Sequence, residues 1–254
     1  MNRCRLTTAL IASFAAVALG APAGAQVAAV PAGEPARFLS KYIGLSASEI
    51  EQAKKGDVVT KVLNTPERDE VALFGIVAVN ATHDEVLKRL RDLPTFLRSP
   101  GRTAFGMFST PAVATDANAF TVDGGDLDAL KGCRAGDCDV KMPAASIEQV
   151  GKDIDWNSPN ARAEVEALMR RRAAAYVNNY RRAGTAAMTA YSDQKESRST
   201  ADIFKGLLAE SPYLFEYVPT YHNYLESYPS VSLPGVTDAI YWASDKMDRM
   251  RPIL

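Results

Sequence analysis

Histidine and cysteine are scarce in this 254-residue chain, with two histidines (His83 and His222) and three cysteines (Cys4, Cys133 and Cys138). The scarcity argues against a zinc centre, which needs several His, Cys or carboxylate ligands at set spacings; no His-Glu-x-x-His is present. A surplus of one charge is also missing. Lys and Arg number 29 against 30 Asp and Glu, for a net charge of −1. A nucleic-acid partner is therefore not expected, since phosphate binding shows as a basic excess or stripe. Past the N-terminus no apolar run approaches the roughly 20 residues that span a bilayer, so the mature chain should carry no transmembrane segment. No Gly-x-Ser-x-Gly elbow occurs. No catalytic residue, metal or cofactor is assigned.

What is present begins at the N-terminus. Arg3 and Arg5 precede a small and apolar run over residues 9–19, which Gly20 and Pro22 interrupt. Ala23 and Ala25 stand at the −3 and −1 positions of a cleavage site before Gln26. This is the layout of a secretory signal peptide over residues 1–25, and the apolar core is too short for a membrane span. The mature protein is expected to be exported, periplasmic or extracellular. Cleavage removes two arginines and no acid, taking the net charge from −1 to −3.

Cys4 leaves with the signal peptide. Cys133 and Cys138, five positions apart with Gly136 between them, should close a short disulfide loop in an oxidising compartment. So short a loop is worth about 2 kcal/mol by loop entropy and acts as a local clip. The sharper alternative is a redox-active pair, since short loops can be strained and reducible.

Residues 26–36 read as a flexible leader, rich in Ala, Pro and Gly. Ser46 and Glu49 have capping-box spacing, and Gly56 stands where a helix C-terminal glycine belongs. Residues 57–64 and 70–80 alternate polar and apolar positions and predict an antiparallel hairpin. Thr82 and Glu85 repeat the capping box, predicting a helix over residues 83–91 with Val86, Leu87 and Leu90 inward. Residues 103–109 and 119–123 are further strand candidates. Asp126 is read as capping one helical turn ending at Gly132. Ser158 and Pro159 predict the start of a long helix running to Gly184 and onward past Met188. Thr200 should cap another helix with Ile203, Phe204, Leu207 and Leu208 inward. Residues 219–227 form one more short helix, and residues 236–243 a late strand. Residues 251–254 look like the start of an apolar strand, so the chain is expected to continue further, with an exposed sheet edge near residues 247–254.

Residues 46–97 resemble the opening of START-like proteins of the helix-grip superfamily, which include lipid-transfer domains and polyketide cyclases. The likeness rests on the strand entry Gly56-Asp57-Val58-Val59 and on the helix over residues 81–92, with Val86, Leu90 and Asp92 at the family's positions. It implies an α+β fold, a curved antiparallel sheet with packed helices, over a single domain from residue 37 to 254. The segment from about 126 to 230 would then be a helical insertion. It further implies an apolar cavity for a hydrophobic small molecule or lipid, but carries over no particular binding residue; Phe105, Phe108, Tyr241 and Trp242 are the candidate lining residues in this sequence. The chain is also similar to secreted bacterial proteins of unassigned function that carry a Cys-x-x-Gly-Asp-Cys motif.

Several other groups compete for a role. His222, among tyrosines, is the candidate for an exported hydrolase working with carboxylates, whereas His83 reads as exposed at a helix start. The cluster Asp123, Asp126 and Asp128 invites a calcium reading, but fails the EF-hand offsets; a capped turn explains it. Residues 170–172 and 181–182 place five arginines on the long helix, read as a solvated face paired along the helix, such as Glu166 with Arg170. A phosphate contact is the sharper alternative. The tyrosines between 213 and 228 are read as packing groups, with a ligand cleft as the alternative. A third class, an envelope structural or adaptor protein, would present an exposed apolar or tyrosine-rich patch.

Overall fold

The computed structural model describes residues 34–66, 70–98, 101–236 and 238–245. The expected signal peptide (residues 1–25), most of the expected leader and residues 247–254 lie outside the described residues. The chain is mixed α and β with small antiparallel sheets, and it divides into two compact units. The first covers residues 34–98 of the described chain and the second most of the remainder.

In the first unit a short helix α1 (Glu34–Phe38) runs into a wide turn that Gly44 ends in the left-handed region, at φ 71°. Helix α2 (Ala47–Lys54) starts at a complete capping box. The Glu49 amide donates to Ser46 Oγ, and the Glu49 carboxylate accepts from the Ser46 amide at 2.7 Å. Strands β1 (Val59–Leu63) and β2 (Ala72–Ile76) pair antiparallel with Lys61 opposite Phe74. The core takes Leu39, Ile43, Leu45, Ala53 and Val59, with Leu63, Phe74 and Ile76 packed against it. Helix α3 (His83–Arg91) has the second capping box, Thr82 with Glu85, and buries Leu87. A turn of helix, α4 (Leu93–Phe96), follows.

The second unit begins with strand β3 (Arg102–Met107) and continues through helices α5 (Gly124–Gly132), α6 (Ala144–Asp153) and α7 (Ala161–Ala183). A two-residue ladder joins β4 (Ala190–Tyr191) to β5 (Arg198–Ser199). Helices α8 (Thr200–Ala209), α9 (Pro212–Tyr217) and α10 (Pro219–Ser227) follow, and β6 (Tyr241–Asp245) returns to pair antiparallel with β3. Among the described residues each ladder has two strands.

Helix α7 is the spine of this unit, 23 residues long and so about 35 Å at 1.5 Å per residue. Its first half buries Val165 and Leu168 in a core with Val122, Leu130, Ile147, Val150 and both cysteines. Its second half buries Ala174 and Val177 with Phe108, Ala112, Ala117 and Trp242. Gly106 permits that second core. A Cβ there would fall on the Trp242 indole and 2.6 Å from the Asp116 carbonyl, to which the indole N–H donates.

Several local expectations are corrected. Residues 119–123 are not a strand, because side chains of α7 take their backbone groups. Arg170 donates to the Phe120 carbonyl at 2.7 Å, Arg162 to the Val122 carbonyl, and Glu166 accepts from the Val122 amide at 3.1 Å. Asp123, rather than Asp126, caps α5, accepting from the Asp126 amide at 2.8 Å. Ser158 does not cap α7; its hydroxyl accepts from the Asn160 amide two residues on, in a turn ahead of the helix. At the other end Gly184, at φ 55°, stops the helix where any Cβ would strike the Tyr228 carbonyl, so it does not continue to Met188. Ser199 rather than Thr200 caps α8, and only Leu208 is buried there, with Ile203 and Leu207 exposed. The late strand begins at Tyr241 rather than residue 236.

Candidate functional site

The four candidate lining residues fall into two pairs. Phe108 and Trp242 are buried in the core beneath the β3–β6 ladder, where Trp242 meets the Phe120 ring edge-on at 6.2 Å. Phe105 and Tyr241 are half-buried and pair with each other, ring centres 5.6 Å apart. At the end of this ladder Arg102 and Asp245 face each other in a two-point ion pair, 2.8 and 2.9 Å. The Asp245 carboxyl is held below its ordinary range by that guanidinium.

His222 does not sit in a catalytic constellation among the described residues. Its ring is one-fifth exposed and meets Phe215 edge-on, and its Nδ1 lies 4.0 Å from the Glu226 carboxylate, beyond hydrogen-bond length. His83 is exposed, 3.9 Å from Asp84. Asp123 is occupied as a helix cap, and no group of three His, Cys, Asp or Glu is placed to hold a metal among the described residues.

The tyrosines form a stacked cluster on the end of α7. Tyr180 lies on Tyr228 at 5.3 Å, Tyr224 meets Tyr228 edge-on at 5.8 Å, and the Tyr224 hydroxyl donates to the Asp238 carboxylate. Burial pushes the Tyr180 phenol up to about 12, helped by its tyrosine neighbours and Asp238. Burial also raises Tyr224, reinforced by the hydrogen bond and charge of Asp238. These phenols stay neutral at physiological pH and pack ring against ring.

The expected Glu166–Arg170 pairing is present and Arg171 is exposed, but most basic side chains of α7 also bind groups elsewhere in the unit. Besides the Phe120 bond, Arg170 pairs with Glu166 at 3.2 Å. Arg172 donates to Gln149, and Arg181 to the carbonyls of Phe108 and Ser109. Asn178 clamps Ala112 from both sides, accepting its N–H at 2.8 Å and donating to its C=O at 2.9 Å. This helix therefore holds residues 108–122 by their backbone.

An open groove remains beside the disulfide. Helix α5 ends at Gly132, and Cys133 and Cys138 are joined across a turn with Cα atoms 4.5 Å apart. Arg134 and Asp137 exchange backbone hydrogen bonds, and Gly136 takes φ 84° at the turn, a conformation that suits glycine. The turn is docked by two further bonds, from Gly136 N–H to the Ser192 carbonyl (2.7 Å) and from Cys138 N–H to the Asp193 carbonyl (2.9 Å). The two cysteines are buried, at 7% and 5% exposure, as expected of a clip rather than an accessible redox pair. Across from the turn, α6 presents Ala144, Ile147 and Gly151 on one stripe. With Cys133 and Ala135 they line a groove of about 400 Å³, with Arg134 and Glu148 at its rim. A Cβ on Gly151 would meet nothing within 4 Å. Among the described residues neither Arg134 nor Glu148 has an oppositely charged partner within 4 Å. Sequence reasoning missed this groove because it missed α6, whose signal is the spacing of Ala144, Ile147, Val150 and Ile154 after Pro143.

No helix among the described residues is long and apolar enough to cross a membrane. No family model, curated protein or solved structure matches this chain.

Proposed function

We propose that the chain is an exported protein that binds a small hydrophobic molecule, with a charged or polar head, in the groove between the disulfide turn and α6. The groove carries this reading. Its size falls in the range of small-ligand sites, its floor is apolar, and two unpaired charges of opposite sign stand at the rim. The signal-peptide layout and the buried disulfide support export into an oxidising compartment. Membership of the START-like, helix-grip group belongs to the same proposal, supported by the hairpin followed by a capped helix in the first unit. The site differs from the enclosed cavity that the resemblance implies: it is open and built on helices.

Native mass spectrometry of the protein purified from its host envelope tests the proposal. A co-purifying small amphiphile is expected on the wild type and not on Gly151→Trp, whose side chain enters the groove from a position where a Cβ meets nothing within 4 Å. A wild type that is always empty, or a ligand that a folded Gly151→Trp retains, overturns it. Edman sequencing of the same sample should begin at Gln26; retention of residues 1–25 would defeat export.

A second reading, an adaptor that works through an exposed apolar patch, is favoured by a different observation. Residues on the outer face of the β1–β2 hairpin are apolar and exposed.

A further inference from the structure

Four residues of α6 line the groove: Ala144, Ile147, Glu148 and Gly151. Their spacing, i, i+3, i+4 and i+7, is a single stripe of a helix. Glu148 therefore stands on the groove side of α6, beside the apolar floor. It has no hydrogen bond or ion pair among the described residues. The next residue, Gln149, is spent elsewhere, donating to Asp153 at 2.9 Å and accepting from Arg172. On the other wall Arg134 lies between Cys133 and Ala135, which line the groove with it. The disulfide and the bonds that dock the turn fix its backbone. Its guanidinium makes one long contact, from Nη1 to the Cys133 carbonyl at 3.5 Å, and meets no carboxylate within 4 Å among the described residues.

Arg134 and Glu148 carry opposite signs, face one groove and do not pair with each other. Those charges sort the heads a ligand could bring. A purely acidic head would meet Glu148 as a like charge, and a purely basic head would meet Arg134 so. A neutral head would take water from both charges and replace it with neither partner. A head with both signs satisfies each wall. The guanidinium fork suits a carboxylate or other planar acid group, and the Glu148 carboxylate suits an ammonium. The volume of about 400 Å³ lies toward the small end of ligand sites, which run from about 300 to 1,000 Å³. It favours a compact apolar body over a pair of long chains. Gly151, where a Cβ would meet nothing within 4 Å, leaves that body its room.

Resting on the groove reading above, we infer that the ligand is a small zwitterion with an apolar body. Its acid group lies in the Arg134 fork, its ammonium on Glu148, and its body over Ala144, Ile147 and Gly151. Apolar amino acids and short apolar peptides carry this chemistry.

Titration of the isotope-labelled mature chain, followed by NMR at the Glu148 and Gly151 amides, is the test. The probes are L-leucine, L-leucyl-L-leucine and the two halves of leucine, 3-methylbutylamine and 4-methylpentanoate. A zwitterion should bind about three- to tenfold more tightly than either half. Glu148→Gln should erase its advantage over 4-methylpentanoate, and Arg134→Gln its advantage over the amine. Both residues are exposed, so both variants should keep the wild-type spectrum elsewhere. Glu148→Lys should reverse the order and favour 4-methylpentanoate. Tighter binding of leucine or of the dipeptide names the source, amino acid or peptide, and either supports the inference. Leucine and its halves binding alike at Gly151, or a preference that Glu148→Gln leaves intact, overturns the inference while the groove reading stands. The absence of any shift at Gly151 also overturns it, and the groove reading is then decided separately, by the co-purification lost in Gly151→Trp.

Discussion

Helix α7 carries six arginines, yet it is the buried spine of the second unit. The β1–β2 ladder carries one lysine, yet two of its apolar side chains, Val62 and Leu73, face water. The difference lies in what the backbone around each element requires. Residues 108–122 run past α7 with few ladder bonds of their own, so their carbonyls and amides need side-chain partners. Arg162, Arg170, Arg181, Glu166 and Asn178 supply them. The hairpin satisfies its paired backbone groups within the ladder. Which of its faces is buried is then decided only by what packs against it, and the helices of the first unit cover one face. Polar character in a sequence thus does not mark a surface, nor apolar character a core, until the backbone's hydrogen bonds are accounted for.

The largest expected effect lies at the middle of α7. Leu168 is 2% exposed among Val165, Val150 and Leu130. Leu168→Ala should cost about 2 to 5 kcal/mol in a urea titration, through lost burial and the cavity left behind. A cost near zero would mean that α7 is not the spine described above. Next come the arginines. Arg170→Ala removes a charged donor from the Phe120 carbonyl and leaves Glu166 without its ion-pair partner, for about 2 kcal/mol. Its neighbour Arg171 is exposed, and Arg171→Ala should stay within about 0.5 kcal/mol. Equal effects at the two positions would dissolve the contrast between clamping and solvated arginines.

The disulfide should matter about as much as one clamp. Cys133→Ser opens a loop whose closure is worth about 2 kcal/mol. Hydrogen exchange should report the loss locally, at the Gly136 and Cys138 amides that bind residues 192 and 193. Protection lost throughout the second unit would show that the turn is more than a local clip.

Acid should weaken the second unit through Asp116. Its carboxylate accepts from the Val113 amide at 2.9 Å and from the Ser109 hydroxyl and amide at 2.8 and 3.0 Å. The Val113 bond above all, with those of Ser109 and the charge of Arg181, holds its carboxyl below the ordinary 3.8, against a smaller effect of burial. A carboxyl lowered on folding contributes stability that is complete above its unfolded value and is lost as pH falls through its folded value. Asp245, lowered by Arg102, acts with the same sign. The urea midpoint of the wild type should therefore fall below about pH 4. Asp116→Asn should start lower and fall less; parallel acid limbs would remove Asp116 from the account.

Where structure follows from neighbouring residues, the sequence was readable. Ser46 with Glu49 and Thr82 with Glu85 are three apart and set their helix starts, and the hairpin alternation set its two faces. Residues 119–123 look like a strand by composition, but the groups that bind their backbone come from α7, forty to fifty residues on. Ser158 has the chemistry of a cap and spends it on a turn. The groove was hidden for a related reason. Cys133 and Cys138 announce a clip, but the groove-facing stripe of its neighbour α6, Ala144, Ile147 and Gly151, ends on a glycine, which reads as a helix breaker.

The smallest expected effect completes the contrast between the two regions. Leu73 and Phe74 are adjacent in β2 and point to opposite faces, Leu73 to water and Phe74 to the core. Leu73→Thr keeps a residue that suits a strand and removes apolar surface already in contact with water, so at low concentration it should change the unfolding free energy by no more than about 0.5 kcal/mol. Phe74→Ala, one position on, should cost several times more, about 2 kcal/mol or above, because it empties part of a packed core. A large loss for Leu73→Thr in dilute solution would place Leu73 in the monomer's own core. The outer face of the hairpin would then be buried within one chain, and its contrast with α7 would fall.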